Sequence, residues 1–331
     1  MAERVRLGSI GLGKWAGTLA AAVARGGAAE IVRCFDASAE ARAAFAGKFG
    51  CRPASSLEEL LRDPGVEGVI IATPHSTHAD IVCQAASAGK HIFVEKPFTL
   101  RVLDARRCIR AAERAGVVLQ VGHKRRWFGG YRRIREMIGR GELGMLHQFE
   151  ANYSHPAMRN LGPGWRNDPA ESPLGGMTGM GIHMVDLLHH FAGPVKRLSA
   201  FSKRLLGKSN LDDVTTMILE FESGALGYVG TSTVIPFHAT AAAFGTEAAA
   251  WSEEDGARLY LQKSDEPVRR ELPNQLGDGV ADEFTHFARC IREGRRPDVG
   301  GAEGLEVVAV LEAMLESVAS GQAVEVAPFR G

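Results

Sequence analysis

Six residues between an apolar strand and an alanine-rich helical stretch constrain the fold of this chain more than any other segment. The strand is predicted at Val5–Ile10, and the run Gly-Leu-Gly-Lys-Trp-Ala follows at residues 11–16. Gly11 permits a tight turn, and Gly13 lets the backbone approach a bound pyrophosphate at the positive end of the helix. Ala16 replaces a third glycine and is small enough for close packing of helix on strand. The order of strand, glycine turn and helix therefore predicts a dinucleotide-binding turn.

Apolar strands continue to alternate with helical segments through the first 121 residues. Helices separate the further strands that we predict at Ile31–Phe35, Gly68–Ala72, His91–Val94 and Val117–Val121. This alternation is typical of a parallel sheet that is wound on both faces. Ligands of such sheets bind beyond the carboxyl ends of the strands, and Thr73-Pro74 and Glu95-Lys96-Pro97 follow two of those ends. Topology alone therefore places Lys96 at the edge where we expect a cofactor.

Asp36 follows the second predicted strand and lies 25 residues after Gly11. A carboxylate at about this distance accepts hydrogen bonds from the adenosine ribose hydroxyls and repels a 2′-phosphate, so NAD is favoured over NADP. The alternative is that Asp36 caps the following helix, although Ser38 could cap that helix instead. Arg33 and Arg42 lie close to Asp36 in the sequence, so NADP remains an alternative cofactor.

The composition indicates two domains and a small-molecule partner. A chain of 331 residues suits two domains of ordinary size. Lysine plus arginine equals aspartate plus glutamate at 39 each, so no net field attracts nucleic acid or an anionic membrane surface. The five cysteines show no metal-ligand spacing and are expected to be free thiols in a reducing compartment. Without a leader or a membrane-spanning run, we expect a cytoplasmic protein that needs no metal.

After residue 121 the pattern becomes rich in strands. Val214–Glu222 and Ala225–Val234 are predicted strands, and apolar side chains alternate along the first of them. Alternation indicates a sheet with one face packed more heavily than the other. The lighter face is a candidate subunit interface.

Several short motifs follow one another along the first 190 residues. They are Gly11-Leu12-Gly13, Ala72-Thr73-Pro74 with His78, Ala88-Gly89-Lys90-His91, Glu95-Lys96-Pro97, and Gly181-Ile182-His183 with Asp186. In this order and spacing they resemble the Gfo/Idh/MocA oxidoreductases, a family named for glucose-fructose oxidoreductase, inositol dehydrogenase and a rhizopine-catabolism protein. Similarity in residues 284–326 is more diffuse and supports only the fold.

The resemblance implies an α/β fold of two domains. Residues 1–122 would form an N-terminal Rossmann domain with a doubly wound parallel sheet. Residues 123–331 would form a substrate-binding α+β domain with a large, open, mostly antiparallel sheet, and its last helix is expected to pack back on the first domain. Substrate would lie between the second domain and the nicotinamide. We expect a homodimer or homotetramer that associates through the C-terminal sheet.

Lys96 and His183 are the predicted catalytic residues. Oxidation of a secondary alcohol needs a group that takes the hydroxyl proton while hydride moves to the nicotinamide. Lys96 could hold the substrate oxygen and stabilise developing negative charge, and His183 could take a proton near neutral pH. His189 and His190, in the same predicted helix, are interpreted as structural.

Two larger sets of residues are expected to contact ligands. Cofactor contacts are expected from Gly11, Leu12, Gly13, Lys14, Trp15, Asp36, Thr73, Pro74, His78, Glu95 and Lys96. By the resemblance, substrate contacts are expected from Lys124, Arg125, Tyr153, His155, Arg159, Trp165, Arg166 and His183. Aromatic planes and guanidinium groups suit a polyhydroxylated ring or a carboxylate. A solvated surface remains the alternative for the basic segments 123–127 and 165–169.

One position departs from the family motif Asp-x-Gly-x-His. Alignment of its histidine with His183 puts Gly179 where the aspartate is expected, and glycine can neither orient an imidazole nor relay a proton. Asp186 matches a separate family position and is a poor substitute. We expect an NAD(P)-dependent dehydrogenase or reductase acting on a secondary hydroxyl or carbonyl of a sugar, cyclitol or related polyol. The alternatives are an NAD-binding sensor or regulator without this activity, and a reductase of a different carbonyl substrate.

Overall fold

The computed structural model describes residues 3–156, 162, 164–207 and 209–331. The chain divides into two compact units, of which the first comprises Met1–Lys124 and Val280–Leu305. The second comprises Arg125–Gly279 and Glu306–Gly331. The sequence-based boundary after residue 122 lies close to the first crossing between units. Residues 280–305, which fall in the predicted second domain, belong to the first unit.

A six-stranded parallel sheet forms the centre of the first unit. Its strands are β1 (Val5–Ile10), β2 (Ala29–Phe35), β3 (Arg52–Pro53), β4 (Gly68–Ile71), β5 (His91–Glu95) and β6 (Leu119–Gly122). They lie side by side in the order β3-β2-β1-β4-β5-β6. β4 is buried along its whole length because both faces of a parallel sheet are covered. The predicted parallel Rossmann sheet is confirmed.

Helices connect the strands of this sheet. They are α1 (Lys14–Gly26), α2 (Ala39–Phe49), α3 (Leu57–Arg62), α4 (His78–Ser87) and α5 (Val102–Ala115). α1 buries a stripe of small and branched side chains, among them Leu19 and Val23, against the core that also contains Val5 and Leu7 of β1. This packing fixes the N-terminus of α1 next to the end of β1.

A nine-stranded sheet forms the centre of the second unit. Its strands are β7 (Leu146–Ser154), β8 (Val195–Lys203), β9 (Val214–Phe221), β10 (Leu226–Ser232), β11 (His238–Gly245), β12 (Ala248–Glu253), β13 (Arg258–Lys263), β14 (Arg270–Leu272) and β15 (Val324–Glu325). Their spatial order is β14-β13-β12-β11-β7-β10-β9-β8-β15, and only the β7–β10 pair is parallel within the described residues. The prediction of an open, mostly antiparallel sheet is confirmed.

The alternation predicted for β9 decides which face of this sheet is buried. Met217, Leu219 and Phe221 are at most 1% exposed, whereas Ile218 between them is 64% exposed. Helices α6 (Gly129–Gly139) and α7 (Ile182–Ala192) belong to the same unit, and α7 contacts β7 and β10. A π-helical turn at Met177–Gly181 leads directly into α7.

The return segment of the first unit begins with α8 (Gly279–Glu293). Phe284 and Phe287 of this helix pack on Phe93 of β5, with ring centroids 4.5 and 5.9 Å from that of Phe93. Such aromatic pairs contribute on the order of 1 kcal/mol each beyond the area that they bury. The last helices are α9 (Gly301–Ser320) and α10 (Ala327–Arg330). No helix in the described ranges is both long and apolar enough to cross a bilayer.

Candidate functional site

The glycine turn after β1 has the geometry that a bound dinucleotide requires. Gly11 has a φ of +81°, and a Cβ built there would lie 2.8 Å from the carbonyl carbon of Ala72 and from Cγ2 of Thr73. By contrast, no atom of the described residues lies within 4 Å of a Cβ built on Gly13. α1 begins immediately afterwards, and no side chain among the described residues caps its first N–H groups. These N–H groups and the open space fit the pyrophosphate of a dinucleotide.

Gly11→Ala is expected to weaken NADH binding at least about 10-fold, because the new methyl group would push the turn away from Ala72 and strain a left-handed backbone. Titration of NADH by fluorescence measures this loss. Gly50→Ala is the matched control, since Gly50 has a φ of +69° but no described atom within 4 Å of its Cβ position. Equal affinities of the two variants for NADH would contradict the role assigned to Gly11.

Asp36 accepts two backbone hydrogen bonds just beyond the end of β2. The N–H of Leu12 donates to Oδ2 over 2.8 Å, and the N–H of Ser38 donates to Oδ1 over 2.9 Å. The side chain of Ser38 accepts from Ala41 N and caps α2, so the alternative in which Asp36 caps this helix does not hold. Asp36 instead joins the end of β2 to the glycine turn, where a ribose would follow the pyrophosphate.

The two arginines that kept NADP open both have partners. Arg42 donates to the carbonyl oxygens of Asp36 and Ala37 over 2.6 and 3.3 Å. Arg33 is buried and pairs with the carboxylates of Glu59 and Asp63. Only Arg42 therefore lies beside Asp36, and its guanidinium already binds backbone oxygens.

Glu95, Lys96 and Trp15 come together at the ends of β5 and β1. Trp15 Nε1 donates to Glu95 Oε1 over 2.7 Å, and the backbone N–H of Lys96 donates to Glu95 Oε2 over 3.2 Å. The ammonium group of Lys124 lies 4.0 Å from the centroid of the Trp15 ring. Burial raises the pKa of the Glu95 carboxyl, and the charge of Lys96 opposes this effect. The predicted cofactor edge thus carries a buried carboxyl group between two lysines.

His78 lies within the first unit and not on its surface. Its side chain is fully buried, with Nδ1 2.9 Å from the carbonyl oxygen of Pro97 and Nε2 3.2 Å from that of Thr73. The ring therefore links the segment after β4 to the segment after β5. This burial favours a bracing role for His78 over direct contact with a cofactor.

His183 is the second residue of α7, and its side chain is 5% exposed. Asp186 on the next turn is fully buried and accepts two hydrogen bonds from Arg126, of 2.8 Å from Nε to Oδ2 and 2.6 Å from Nη2 to Oδ1. This carboxylate binds Arg126, and it lies seven positions after Gly179, where the family motif has its aspartate. Gly179 itself lies within the π-helical turn, where its N–H points to the Gly175 carbonyl oxygen over 3.4 Å.

His189 and His190 lie in the last turn of α7, and burial lowers the pKa of both, that of His190 to about 3. Both rings are therefore neutral at physiological pH, as their structural interpretation requires.

Arg125 is 1% exposed and forms an ion pair that the sequence did not indicate. Its Nε and Nη2 donate to the two carboxylate oxygens of Asp255 over 2.7 and 2.8 Å. Tyr131 donates to the same carboxylate over 3.3 Å, and the guanidinium lies 3.7 Å from the Tyr153 ring centroid. Burial is the largest single influence and lowers the pKa of the Arg125 guanidinium, but Asp255, Tyr153 and Tyr131 together outweigh burial, so the pKa is raised. Arg125 thus packs against the ring of Tyr153. Its guanidinium group binds Asp255, whereas we expected it to bind an acidic group of a ligand.

Further aromatic residues surround the candidate substrate contacts of the second unit. Phe237 packs edge to face on Tyr153 and His155, with centroids 6.2 and 5.7 Å apart. The guanidinium of Arg166 lies 4.1 Å above the ring of its neighbour Trp165. Arg159 lies outside the described residues. Sequence reasoning missed Phe237, which is 48% exposed in the structure, and the sequence signals it only by an aromatic residue directly after Pro236.

The predicted site residues therefore fall into two groups. The first unit holds the cofactor candidates together with Lys96 and Lys124, and the second holds the following substrate candidates: Arg125, Tyr153, His155, Trp165, Arg166 and His183. Among the residues that the structure describes, no cluster of three histidine, cysteine or acidic side chains could hold a metal ion. A parallel sheet with a glycine turn at the end of β1 and an acid after β2 is typical of a dinucleotide-binding protein.

Family models match nearly the whole chain. Residues 5–123 match the "Oxidoreductase family, NAD-binding Rossmann fold", residues 131–251 the "GFO/IDH/MocA C-terminal domain", and residues 246–326 the "Oxidoreductase family, C-terminal alpha/beta domain". The chain belongs to the Gfo/Idh/MocA family of oxidoreductases, and it is an NAD(P)-dependent dehydrogenase or reductase.

Individual relatives agree with this assignment. The chain is 30% identical to scyllo-inositol 2-dehydrogenase (NAD(+)) of Bacillus subtilis (strain 168), covering 75% of each chain. It is 28% identical to 1,5-anhydro-D-fructose reductase of Ensifer adhaerens, covering 90% of this chain and 91% of that one. A solved structure of a proposed NADPH-dependent oxidoreductase from Desulfitobacterium hafniense DCB-2 is 30% identical, covers 100% of both chains and superimposes with a TM-score of 0.95.

Proposed function

We propose that this enzyme transfers hydride between NAD(P) and a secondary hydroxyl or carbonyl group of a sugar, cyclitol or related polyol. The observation that carries the proposal is the placement of Lys96 directly after β5, next to the buried Glu95 that is bonded to the glycine-turn residue Trp15. Relatives named for an inositol and for an anhydro-sugar support the substrate class. Lys96 and His183 are the proposed proton-handling residues.

The proposed chemistry assigns each group one task. A nicotinamide bound beside Lys96 would supply the acceptor for the hydride of the carbon that carries the alcohol. Lys96 holds the substrate oxygen, and the hydroxyl proton passes to Lys96 or His183 in its neutral form while hydride leaves the carbon. The positive charge that the acceptor gains stabilises the negative charge that develops on the oxygen as its O–H bond breaks. In the reverse direction the same groups return the proton to the carbonyl oxygen. The glycine turn from Gly11 to Trp15 holds the pyrophosphate, and Asp36 binds the adenosine ribose.

Substrate recognition is proposed for side chains of the second unit and for Lys124. Tyr153, His155 and Trp165 offer aromatic planes against which the apolar face of a sugar ring can pack, and Arg166 offers hydrogen-bond donors. Arg125 acts on substrate through Tyr153, because Asp255 binds its guanidinium. In domain terms, residues 1–122 bind the cofactor and residues 123–331 supply substrate contacts, apart from the segment 280–305 that belongs to the first unit.

A substrate panel tests the proposal. Aldoses, inositols and sugar acids are each incubated with NAD and NADP, and formation of the reduced cofactor is followed by absorbance. Turnover of at least one polyol is expected, with NAD preferred because Asp36 faces the ribose position. Tight NAD binding without turnover of any polyol or carbonyl compound would overturn the proposal.

An NAD-binding sensor or regulator is the second candidate function, because Gly179 lacks the aspartate side chain of the family motif. Gly179→Asp separates the two functions. A gain of turnover in this variant would show a catalytic site that lacks one carboxylate. No turnover in either form, together with tight NAD binding, would favour the sensor.

The exposed face of the nine-stranded sheet is the proposed contact with a second copy of the chain. Phe201, Ile218, Leu226 and Tyr228 on the adjacent strands β8, β9 and β10 are 66, 64, 54 and 39% exposed, and they lie on the face opposite the core. Arg197 and Glu220 lie beside them and carry opposite charges. A patch with an apolar centre and both signs of charge at its rim can pair with itself across a two-fold axis. We therefore propose a homodimer or homotetramer.

Ile218→Asp is expected to shift the protein from an oligomer to a monomer, because the new carboxylate would be buried without a partner at the centre of the contact. Size-exclusion chromatography with light scattering measures the mass. Leu103→Asp is the control, since Leu103 is 73% exposed on α5 and far along the chain from the sheet. A wild-type protein that elutes as a monomer would refute the interface.

We further propose a cytoplasmic location. All five cysteines are free thiols, which is the usual state in a reducing compartment. Cell fractionation tests this location, and recovery of the protein outside the cytoplasm would contradict it.

A further inference from the structure

A hydrogen bond joins the segment after the glycine turn to the end of β5, which Lys96 follows directly. Trp15 belongs to the first turn of α1, and Glu95 is the last residue of β5, 80 positions further along the chain. The indole N–H donates to the carboxylate over 2.7 Å, and the same carboxylate accepts from the backbone N–H of Lys96. Glu95 therefore binds the turn through one oxygen and the backbone of Lys96 through the other.

The topology of the sheet shows what this bond spans. β1 and β5 are not neighbours, because β4 lies between them. Adjacent strands are about 4.8 Å apart, so β1 and β5 are separated by about 10 Å. The side chains of Trp15 and Glu95 together bridge this distance beyond the carboxyl end of β4. Ala72, which follows β4, packs against the same core cluster as Trp15. The hydrogen bond therefore crosses the carboxyl edge of the parallel sheet, where the nicotinamide is proposed to react.

Neighbouring residues hold both Trp15 and Glu95 in place. Glu95 is 8% exposed, and its Oε1 would be only 3.1 Å from a Cβ on Gly122, so the absence of a side chain there makes room for the carboxyl group. Lys124 lies over the face of the indole ring while Glu95 binds its edge. Cation–π contact and hydrogen bond thus restrain two directions of ring motion.

We infer that Trp15 is a positioning residue for hydride transfer, which fixes the glycine turn relative to Lys96 through its hydrogen bond to Glu95. The inference rests on the proposed function of this edge as a hydride-transfer site. Such transfer requires the donor and acceptor carbons to be held closely, and a displacement of about 1 Å can lower a rate about 100-fold. Trp15 therefore does more than contact the cofactor, because it sets the distance between the glycine turn and Lys96.

Trp15→Phe tests the inference, since phenylalanine keeps an aromatic ring for Lys124 but cannot donate to Glu95. A roughly 10-fold fall in kcat is expected, with KM for substrate and affinity for NADH within about 3-fold of wild type, because the bond aligns the reaction more than it binds either ligand. The kinetic isotope effect with NADH deuterated at C4 should rise as hydride transfer becomes limiting. Trp251→Phe, in the second unit, is the matched control and should leave kcat unchanged, since Trp251 packs on Phe244 and Arg269.

Two variants of Glu95 keep the test decisive if Trp15→Phe fails to fold. Glu95→Gln retains an acceptor oxygen for the indole and should keep more of the wild-type kcat than Glu95→Met, which retains only the volume. The double variant Trp15→Phe/Glu95→Met should lose no more kcat than Glu95→Met alone, since both changes break the same bond. Unchanged kcat in Trp15→Phe, or fully additive losses, would overturn the inference while leaving the proposed function intact. Absence of turnover in the wild type would overturn the proposed function itself.

Discussion

Replacement of Lys96 by alanine is expected to lower kcat at least about 100-fold, since a positioned acid or base contributes about 10²- to 10⁴-fold to such reactions. The residue follows β5 at the edge of the parallel sheet, and its backbone is anchored by the buried carboxyl group of Glu95. Affinity for NADH should change less than about 3-fold, because the glycine turn and Asp36 hold the cofactor. Steady-state rates and NADH titration on the same preparation measure both quantities.

Two further lysine variants show whether a loss of kcat in Lys96→Ala is specific to Lys96 and which property of Lys96 is needed. Lys48→Ala removes an exposed lysine of α2 and should leave kcat unchanged. Lys96→Arg keeps the positive charge but cannot give up a proton near neutral pH, so it should be nearly as inactive as Lys96→Ala if Lys96 transfers a proton. Recovery of most activity by arginine would instead assign Lys96 to charge stabilisation alone. Full activity in Lys96→Ala would refute any catalytic role.

Asp186→Ala is expected to destabilise the second unit by about 3–5 kcal/mol, because it removes the carboxylate that binds the buried guanidinium of Arg126 through two hydrogen bonds. For a domain of this size the melting temperature should fall by roughly 6–20 °C. The two-bond geometry and the complete burial of Asp186 make this ion pair costly to break. Thermal unfolding monitored by circular dichroism measures the effect.

The matched control for the buried pair is an exposed one. Glu58→Ala breaks the pair between Glu58 and Arg62, whose side chains are 68 and 79% exposed, and should cost less than about 0.5 kcal/mol. Similar melting temperatures for Asp186→Ala and Glu58→Ala would show that the Arg126 pair contributes little. Replacing both Arg126 and Asp186 with apolar residues should cost less than the single change, because no buried charge remains.

The sequence was most informative where function depends on local order along the chain. The end of β5 could be located from an apolar run and a following proline, and parallel topology then placed Lys96 at the ligand edge. The capping of α2 was left open between Asp36 and Ser38, and the hydrogen bond from Ala41 decides for Ser38. In these cases the relevant partners lie within a few residues or follow from a general rule for the fold.

Partners that are distant in sequence could not be predicted in the same way. Arg125 looked like a ligand for an acidic group, but its carboxylate partner is Asp255, 130 residues away in a turn before β13. The bond between Trp15 and Glu95 likewise depends on the side-chain directions of a residue in the first turn of α1 and of the last residue of β5. A charge pattern in one segment does not say which opposite charge the fold will bring to it, so such residues acquire their roles only from three-dimensional structure.

The return of residues 280–305 to the first unit has a consequence for how the protein is made. Phe93 is enclosed by Phe284 and Phe287, so the core begun by the first 124 residues lacks part of its packing until α8 has been synthesised. At about 5–20 residues per second, the ribosome needs roughly 10–40 s to extend the chain from residue 124 to residue 305. During that interval the nascent cofactor-binding unit exposes apolar surface around Phe93. The part of the enzyme that emerges first is therefore among the last to be completed.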